Sequence, residues 1–169
     1  MAERIVTERD RLSQPSDPVV FGPKAKFLAR RLAAAAADGG RRVRGVAAPQ
    51  IGVHQRMFHW DFVGLKPAEN GVPTDRGGLP NSGIACNPKV LDASDETWVR
   101  EEGCLSFPRR WLDVVRPVTA RFEWYTLNGD RCEVTLSGYA ARIWLHETDH
   151  LNGVLFTERA APGATLHRW

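Results

Sequence analysis

Apolar residues recur at helical spacing from Pro23 onward, with Phe27, Leu28, Leu32 and Ala35 marking the pattern through an alanine-rich run that stops at Asp38-Gly39-Gly40. Pro23 opens this helix in its first turn and Gly39 closes it. The Ala33 to Ala37 run reflects helix propensity rather than low complexity. Ahead of the helix, Ile5-Val6 and then Pro15, Asp17 and Pro18 predict a short extended arm outside the core.

After the helix the period shortens. Val43 to Pro49 and Met57 to Phe62 read as extended segments joined by a turn at Gly52, and the stretch from Gly64 to Gly83, rich in Gly, Pro and Asn, reads as a long loop. Ile84 to Pro88, Trp98 to Arg100, Val114-Val115, Ala120 to Leu127 and Cys132 to Leu136 are strand candidates, and Asn128-Gly129 between the last two is a hairpin turn. A last helix is predicted from Gly138 to Leu151, closed by Asn152-Gly153. Strands and helices are segregated rather than alternating. The fold class that follows is α+β, with mostly antiparallel sheets packed around a C-terminal helix.

Length and composition narrow this picture. With 169 residues, 43% of them hydrophobic and 25% charged, the chain suits one globular domain spanning 1–169 and excludes collagen-like or disordered architecture. A net charge of +3, with arginine pairs at 30-31, 41-42 and 109-110, reads as arginines scattered over solvated faces; no specific nucleic-acid site is expected. No apolar run reaches membrane-spanning length and the N-terminus lacks a secretory pattern, so the expectation is a cytoplasmic protein away from membranes. The odd, widely spaced set Cys86, Cys104 and Cys132 argues against a disulfide framework.

Candidate chemistry centres on His146-Glu147-Thr148-Asp149-His150. On a helix, residues four apart share a face, so both imidazoles reach one metal ion while Glu147 stands beside it as a base. An open catalytic site usually takes a third protein ligand. Cys104 is the best candidate, because Gly103 beside it in Glu102-Gly103-Cys104-Leu105-Ser106 permits close backbone approach; Cys86 and Cys132 read as buried small hydrophobes. Small residues in Gly45-Val46-Ala47-Ala48-Pro49 also let a peptide approach, and the Gln50 amide suits an oxyanion.

Together, Val43 to Gln50, Glu102 to Ser106 and His146 to Phe156 resemble, in order and spacing, the three signature segments of the peptide deformylase family. The resemblance implies hydrolytic removal of the formyl group from N-formylmethionine of newly synthesised polypeptides. It implies Cys104, His146 and His150 as metal ligands, Glu147 as acid and base, and Gln50 with the Leu105 backbone N–H as oxyanion donors. One divalent ion is expected. Ferrous iron is favoured in the family, zinc, nickel or cobalt also fit, and a Cys/His₂ set does not choose among them. The implied partners are formylated nascent peptides, at the ribosome or free of it, and a monomer is expected. The resemblance further suggests a Glu102–Arg116 pair behind the site, and Asp149, next to His150, is expected to orient a ligand imidazole.

Val43, Arg44, Gly45, Gly103, Arg142 and Ile143 are the expected substrate-pocket residues. Val43 and Arg44 stand where the family carries Gly and an apolar residue, and Arg142 accompanies Ile143 one turn ahead of His146. Long stems with heads in water would give a methionine pocket a positively charged rim favouring acidic residues after formylmethionine. The 13 residues after Phe156 hold Pro162 and Gly163 and are too few for the long closing helix of many bacterial members, so ribosome docking through such a helix is not expected. Two other readings stand beside this one. A zincin-type endopeptidase is disfavoured by a cysteine ligand upstream of the helix, and a non-catalytic binding protein by the retained Glu147.

Overall fold

The computed structural model describes residues 3–38 and 43–168. The closure of the first helix at Gly39 and the Arg41-Arg42 pair lie outside the described residues. In chain order the elements are α1 (Arg9–Leu12), α2 (Pro23–Asp38), β1 (Gly45–Ala47), a 3-10 turn (Ala48–Ile51), β2 (Met57–Asp61), β3 (Ala68–Glu69), β4 (Val72–Pro73) and β5 (Ser82–Ala93). There follow β6 (Thr97–Gly103), β7 (Arg110–Pro117), β8 (Thr119–Tyr125), β9 (Arg131–Ser137), α3 (Gly138–Leu151), a second 3-10 turn (Phe156–Arg159) and β10 (His167–Arg168).

All strand pairings within the sheets are antiparallel. One sheet runs β1-β2-β5-β8-β9, a second β10-β7-β6, and β3 pairs with β4 alone. The hairpin expected at Asn128-Gly129 joins β8 to β9, with Gly129 at φ +89°. The stretch expected to be an unbroken loop after Gly64 instead folds into the small β3–β4 hairpin, because Asn70 and Gly71 both take the positive φ that a tight turn between short strands requires.

Helix α3 sits among these layers. Twelve of its residues are buried, which is the expected state of a helix enclosed on nearly all sides. Its apolar side is anchored by Trp144, which makes edge contacts with Phe58, Phe122 and Trp124 and a tilted one with Trp60. The other side carries Arg142, His146, Glu147, Asp149 and His150 into the interior. The helix ends in a Schellman motif: Val154 N–H bonds the Asp149 carbonyl at 2.9 Å, Gly153 N–H bonds that of His150 at 3.2 Å, and Gly153 adopts φ +72°. This closure holds His150 in the last regular turn.

Two expectations need correction here. The N-terminal segment is no free arm: Leu12 is fully buried and Val6 nearly so, both in a cluster with Phe107, Leu112, Val114, Leu155 and Phe156. Val6 N–H bonds the Gln50 carbonyl and Ser16 N–H that of Leu151, so the segment braces both the Gln50 turn and the end of α3. Apolar residues as isolated as Val6 and Leu12 reach the core in a segment held by such backbone bonds, without any periodicity. Among the cysteines, Cys86 is fully buried and burial pushes its thiol up to about 11, whereas Cys132 is only half-buried, with Sγ against the Asp130 carbonyl.

Candidate active site

Three separate pieces of chain converge where α3 faces the end of β6. His146 and His150 project from successive turns of α3, their ring centroids 5.0 Å apart. Cys104 follows directly on β6, in a turn closed by the Phe107 N–H on the Cys104 carbonyl. Sγ of Cys104 lies 3.3 Å from His150 Nε2, and one donor atom from each of Cys104, His146 and His150 lies within 4.8 Å of the others. A thiol and two imidazoles at that separation suit one borderline divalent ion.

The orientation of His146 is set from behind. Its Nδ1 lies 2.8 Å from Glu102 Oε2, while Arg116 donates to both Glu102 oxygens at 2.9 and 3.0 Å and Arg142 Nη1 to Oε1 at 2.6 Å. Burial alone would raise the Glu102 carboxyl, but the hydrogen bond from His146 and the Arg116 charge overcome it and hold the group well below the usual carboxylate range. Burial works against a charged His146 ring, but its hydrogen bonds to Cys104 and to the ionised Glu102 carboxylate outweigh it and hold the imidazole well above its ordinary range, with Nδ1 donating to Glu102. Burial, reinforced by the charges of His146 and Arg116, keeps His150 well below its ordinary range and therefore neutral.

Glu147 stands at the front. It is buried, its Oε2 has no partner among the described residues, and burial pushes its carboxyl up to about 7. Its neighbour is Gly45 on β1: a Cβ there would come within 2.3 Å of Glu147 Oε1. This is the physical reason for a glycine at that strand position, since any side chain would evict the carboxylate. Gln50, in the 3-10 turn after β1, accepts from Ala47 N–H through Oε1 at 2.9 Å, which turns its amide NH₂ toward Cys104 Sγ and Ser106 Oγ, each at 3.3 Å. The Leu105 N–H bonds no acceptor among the described residues.

These groups open onto a cavity of about 520 Å³. Of the residues expected to line it, Val43, Arg44, Gly45, Gly103, Arg142 and Ile143 all do. Two of them do so differently from the expectation. Arg142 is no rim residue: its guanidinium is buried, bonded to Glu102 and to the Val114 and Trp98 carbonyls, and stacked 4.7 Å over the Trp98 ring. One turn before His146 on the same face of α3, its head meets the same carboxylate rather than water. Arg44 is turned aside, donating to the Val63 carbonyl.

Asp149 also departs from expectation. It accepts from Arg116 and from Arg159, the latter at 3.0 Å, and touches neither ligand imidazole. Adjacent helix positions point about 100° apart, so Asp149 faces away from His150's direction. The orienting carboxylate is Glu102. The expected Glu102–Arg116 pair is present, and buried. Sequence reasoning missed Ser106, which receives Gln50, and Tyr139, Arg109 and Arg110 in the cavity wall; Pro108 ahead of the two arginines was the available signal of a turn there.

Two histidines on a helix that also carries a buried carboxylate, joined by a cysteine from the turn after β6, define a metallohydrolase type of site. The sequence pattern of the family described as polypeptide deformylase matches residues 2–165, and the chain belongs to that family. The family removes the N-formyl group from nascent peptides by metal-dependent hydrolysis. Peptide deformylase of Thermotoga neapolitana is 39% identical over 122 residues, a stretch covering 72% of this chain and 65% of that relative. The chain therefore matches just under two thirds of the length of this curated relative. Peptide deformylase from Thermotoga maritima superposes with a TM-score of 0.79 at 34% identity, covering 96% of this chain and 99% of that one. A class I type b enzyme from Acinetobacter baumannii, solved with Met-Ala-Ser bound, superposes at 0.78 with 30% identity over 94% and 99%. Among the described residues no helix is long and apolar enough to cross a membrane.

Proposed function

We propose that this chain is a single catalytic domain that removes the formyl group from formylmethionine at the start of new polypeptides, working as a cytoplasmic monomer. The observation that carries the reading is the convergence of Cys104 Sγ with His146 and His150 beside a buried, unpartnered Glu147 in one cavity. The donor set fits a divalent ion, and ferrous iron is the ion we propose. When bound, the ion supplies Lewis acidity, acidifying water and drawing charge onto the formyl oxygen.

The chain's own residues do the rest. Glu147, with its carboxyl near 7, accepts a proton from the attacking water and returns it to the departing amine nitrogen as the C–N bond breaks and formate leaves. Gln50 Nε2 and the Leu105 N–H receive the charge that builds on the formyl oxygen; Gln50 is preorganised for this because its own carbonyl is bound by Ala47 N–H. Glu102 fixes the His146 ring.

Metal content and turnover separate these roles. Cys104→Ala and His150→Ala lose most bound metal, whereas Glu147→Gln keeps it and loses about 10²-fold or more in kcat. A Cys104→Ala protein with one metal per chain overturns the ligand assignment, and a Glu147→Gln protein with near-normal turnover overturns the proton-transfer role.

A further inference from the structure

The cavity mouth carries charge that the site itself does not use. Phe107, Pro108, Arg109 and Arg110 form a β-turn, closed by Arg110 N–H on the Phe107 carbonyl at 3.1 Å. Arg109 is its second central residue and sits at φ +59°. A turn with Pro first and a positive φ second ordinarily takes Gly or Asn there, since a branched backbone with a Cβ is strained in that region. An arginine is held in this position at a conformational cost. Its side chain is exposed, that of Arg110 is half-buried, and among the described residues neither makes a side-chain hydrogen bond or ion pair. Both line the cavity that holds Cys104, His146 and Glu147.

The remaining charges of the wall do not cancel them. Glu102 is committed to Arg116, Arg142 and His146, and Glu147 lies buried at the reacting end. Arg44 adds a third cation, its head on the Val63 carbonyl. Among the described residues that line the cavity, Glu101, exposed at the edge of β6, is the one further carboxylate that stands against these arginines.

We infer that Arg109 and Arg110 form an anion-recognising mouth that selects formylated peptides with acidic side chains in the two residues after formylmethionine. This rests on the deformylase reading and specifies its substrate class. With the formyl carbon beside Glu147 and Gln50, the chain after formylmethionine leaves through the mouth, past the turn that bears both arginines. Two guanidiniums there favour carboxylates and disfavour lysines, through an attraction that salt screens over about 10 Å at 0.1 M.

The test compares kcat/KM for formyl-Met-Asp-Asp, formyl-Met-Ala-Ala and formyl-Met-Lys-Lys with the metal-loaded enzyme at low and high salt. The Asp-Asp peptide is expected to exceed the Lys-Lys peptide about threefold to tenfold at low salt, the ratio contracting as salt rises. Arg109→Gly combined with Arg110→Ala brings the ratio toward one, while Arg109→Lys keeps most of it. Arg109→Gly alone has an unchanged or higher Tm, because glycine relieves the positive φ. Formate release at equal efficiency from all three peptides, or a ratio untouched in the double variant, overturns the anion mouth and leaves the deformylase reading standing. No formate from any of them overturns both.

Discussion

Arg116 and Arg110 lie on the same strand, β7, yet the site treats them in opposite ways. Arg116, behind the metal-ligand cluster, is buried and every part of its guanidinium is engaged by Glu102 or Asp149; Arg142 beside it is bonded to Glu102 and two carbonyls. At the mouth, Arg110 and its neighbour Arg109 have no side-chain hydrogen bond or ion pair among the described residues. The rear arginines fix geometry. The front ones supply a field. A charge in a dry interior is tolerable only when fully paired, and pairing makes it a structural strut; a charge left in water keeps its reach toward a ligand but contributes little to folding.

The sharpest way to break this contrast is Arg116→Ala. Removing it leaves Glu102 and Asp149 short of their main partner in the interior, and a loss of about 3–5 kcal/mol in unfolding free energy is expected by denaturant titration. Metal affinity falls with it, because Glu102 no longer holds the His146 ring in place. Next comes Gly45→Ala, which leaves both arginine sets untouched and displaces Glu147 instead; kcat falls about 10²-fold while bound metal stays at the wild-type level. Arg142→Leu follows, with a loss of about 1–3 kcal/mol, since Glu102 keeps Arg116 and His146 but the Trp98 and Val114 carbonyls lose a donor. Arg110→Ala is the smallest, within about 0.5 kcal/mol of wild type. An Arg110→Ala protein as destabilised as Arg142→Leu would erase the distinction between strut and field.

How much of this could be read from the chain follows the same division. The α3 helix was legible over its full length because its features are local: two histidines four apart, a run of apolar positions, and an Asn-Gly stop. The segregated, antiparallel α+β architecture followed from strand runs and one hairpin signal. What failed was relational. The direction in which Arg142 and Asp149 point depends on which strand carries Glu102 and Arg116, and neither sequence distance nor composition supplies that. The N-terminal segment lacks periodicity because it is held by backbone bonds to Gln50 and Leu151 rather than by an apolar stripe. The mouth arginines read as two more surface charges until the turn at Pro108 brought them to the cavity that holds the cysteine.

The proposed reaction hydrolyses a formamide and leaves peptide bonds intact. The direct measurement is mass-resolved product analysis of anaerobically purified, metal-loaded enzyme with formyl-Met-Ala-Ser beside acetyl-Met-Ala-Ser and free Met-Ala-Ser. The expected result is one formate released per Met-Ala-Ser formed from the formyl peptide, with all peptide bonds uncut and far slower turnover of the acetyl peptide. Cleavage at the Met-Ala or Ala-Ser bond, or a formyl peptide recovered unchanged from enzyme carrying one metal per chain, would contradict it.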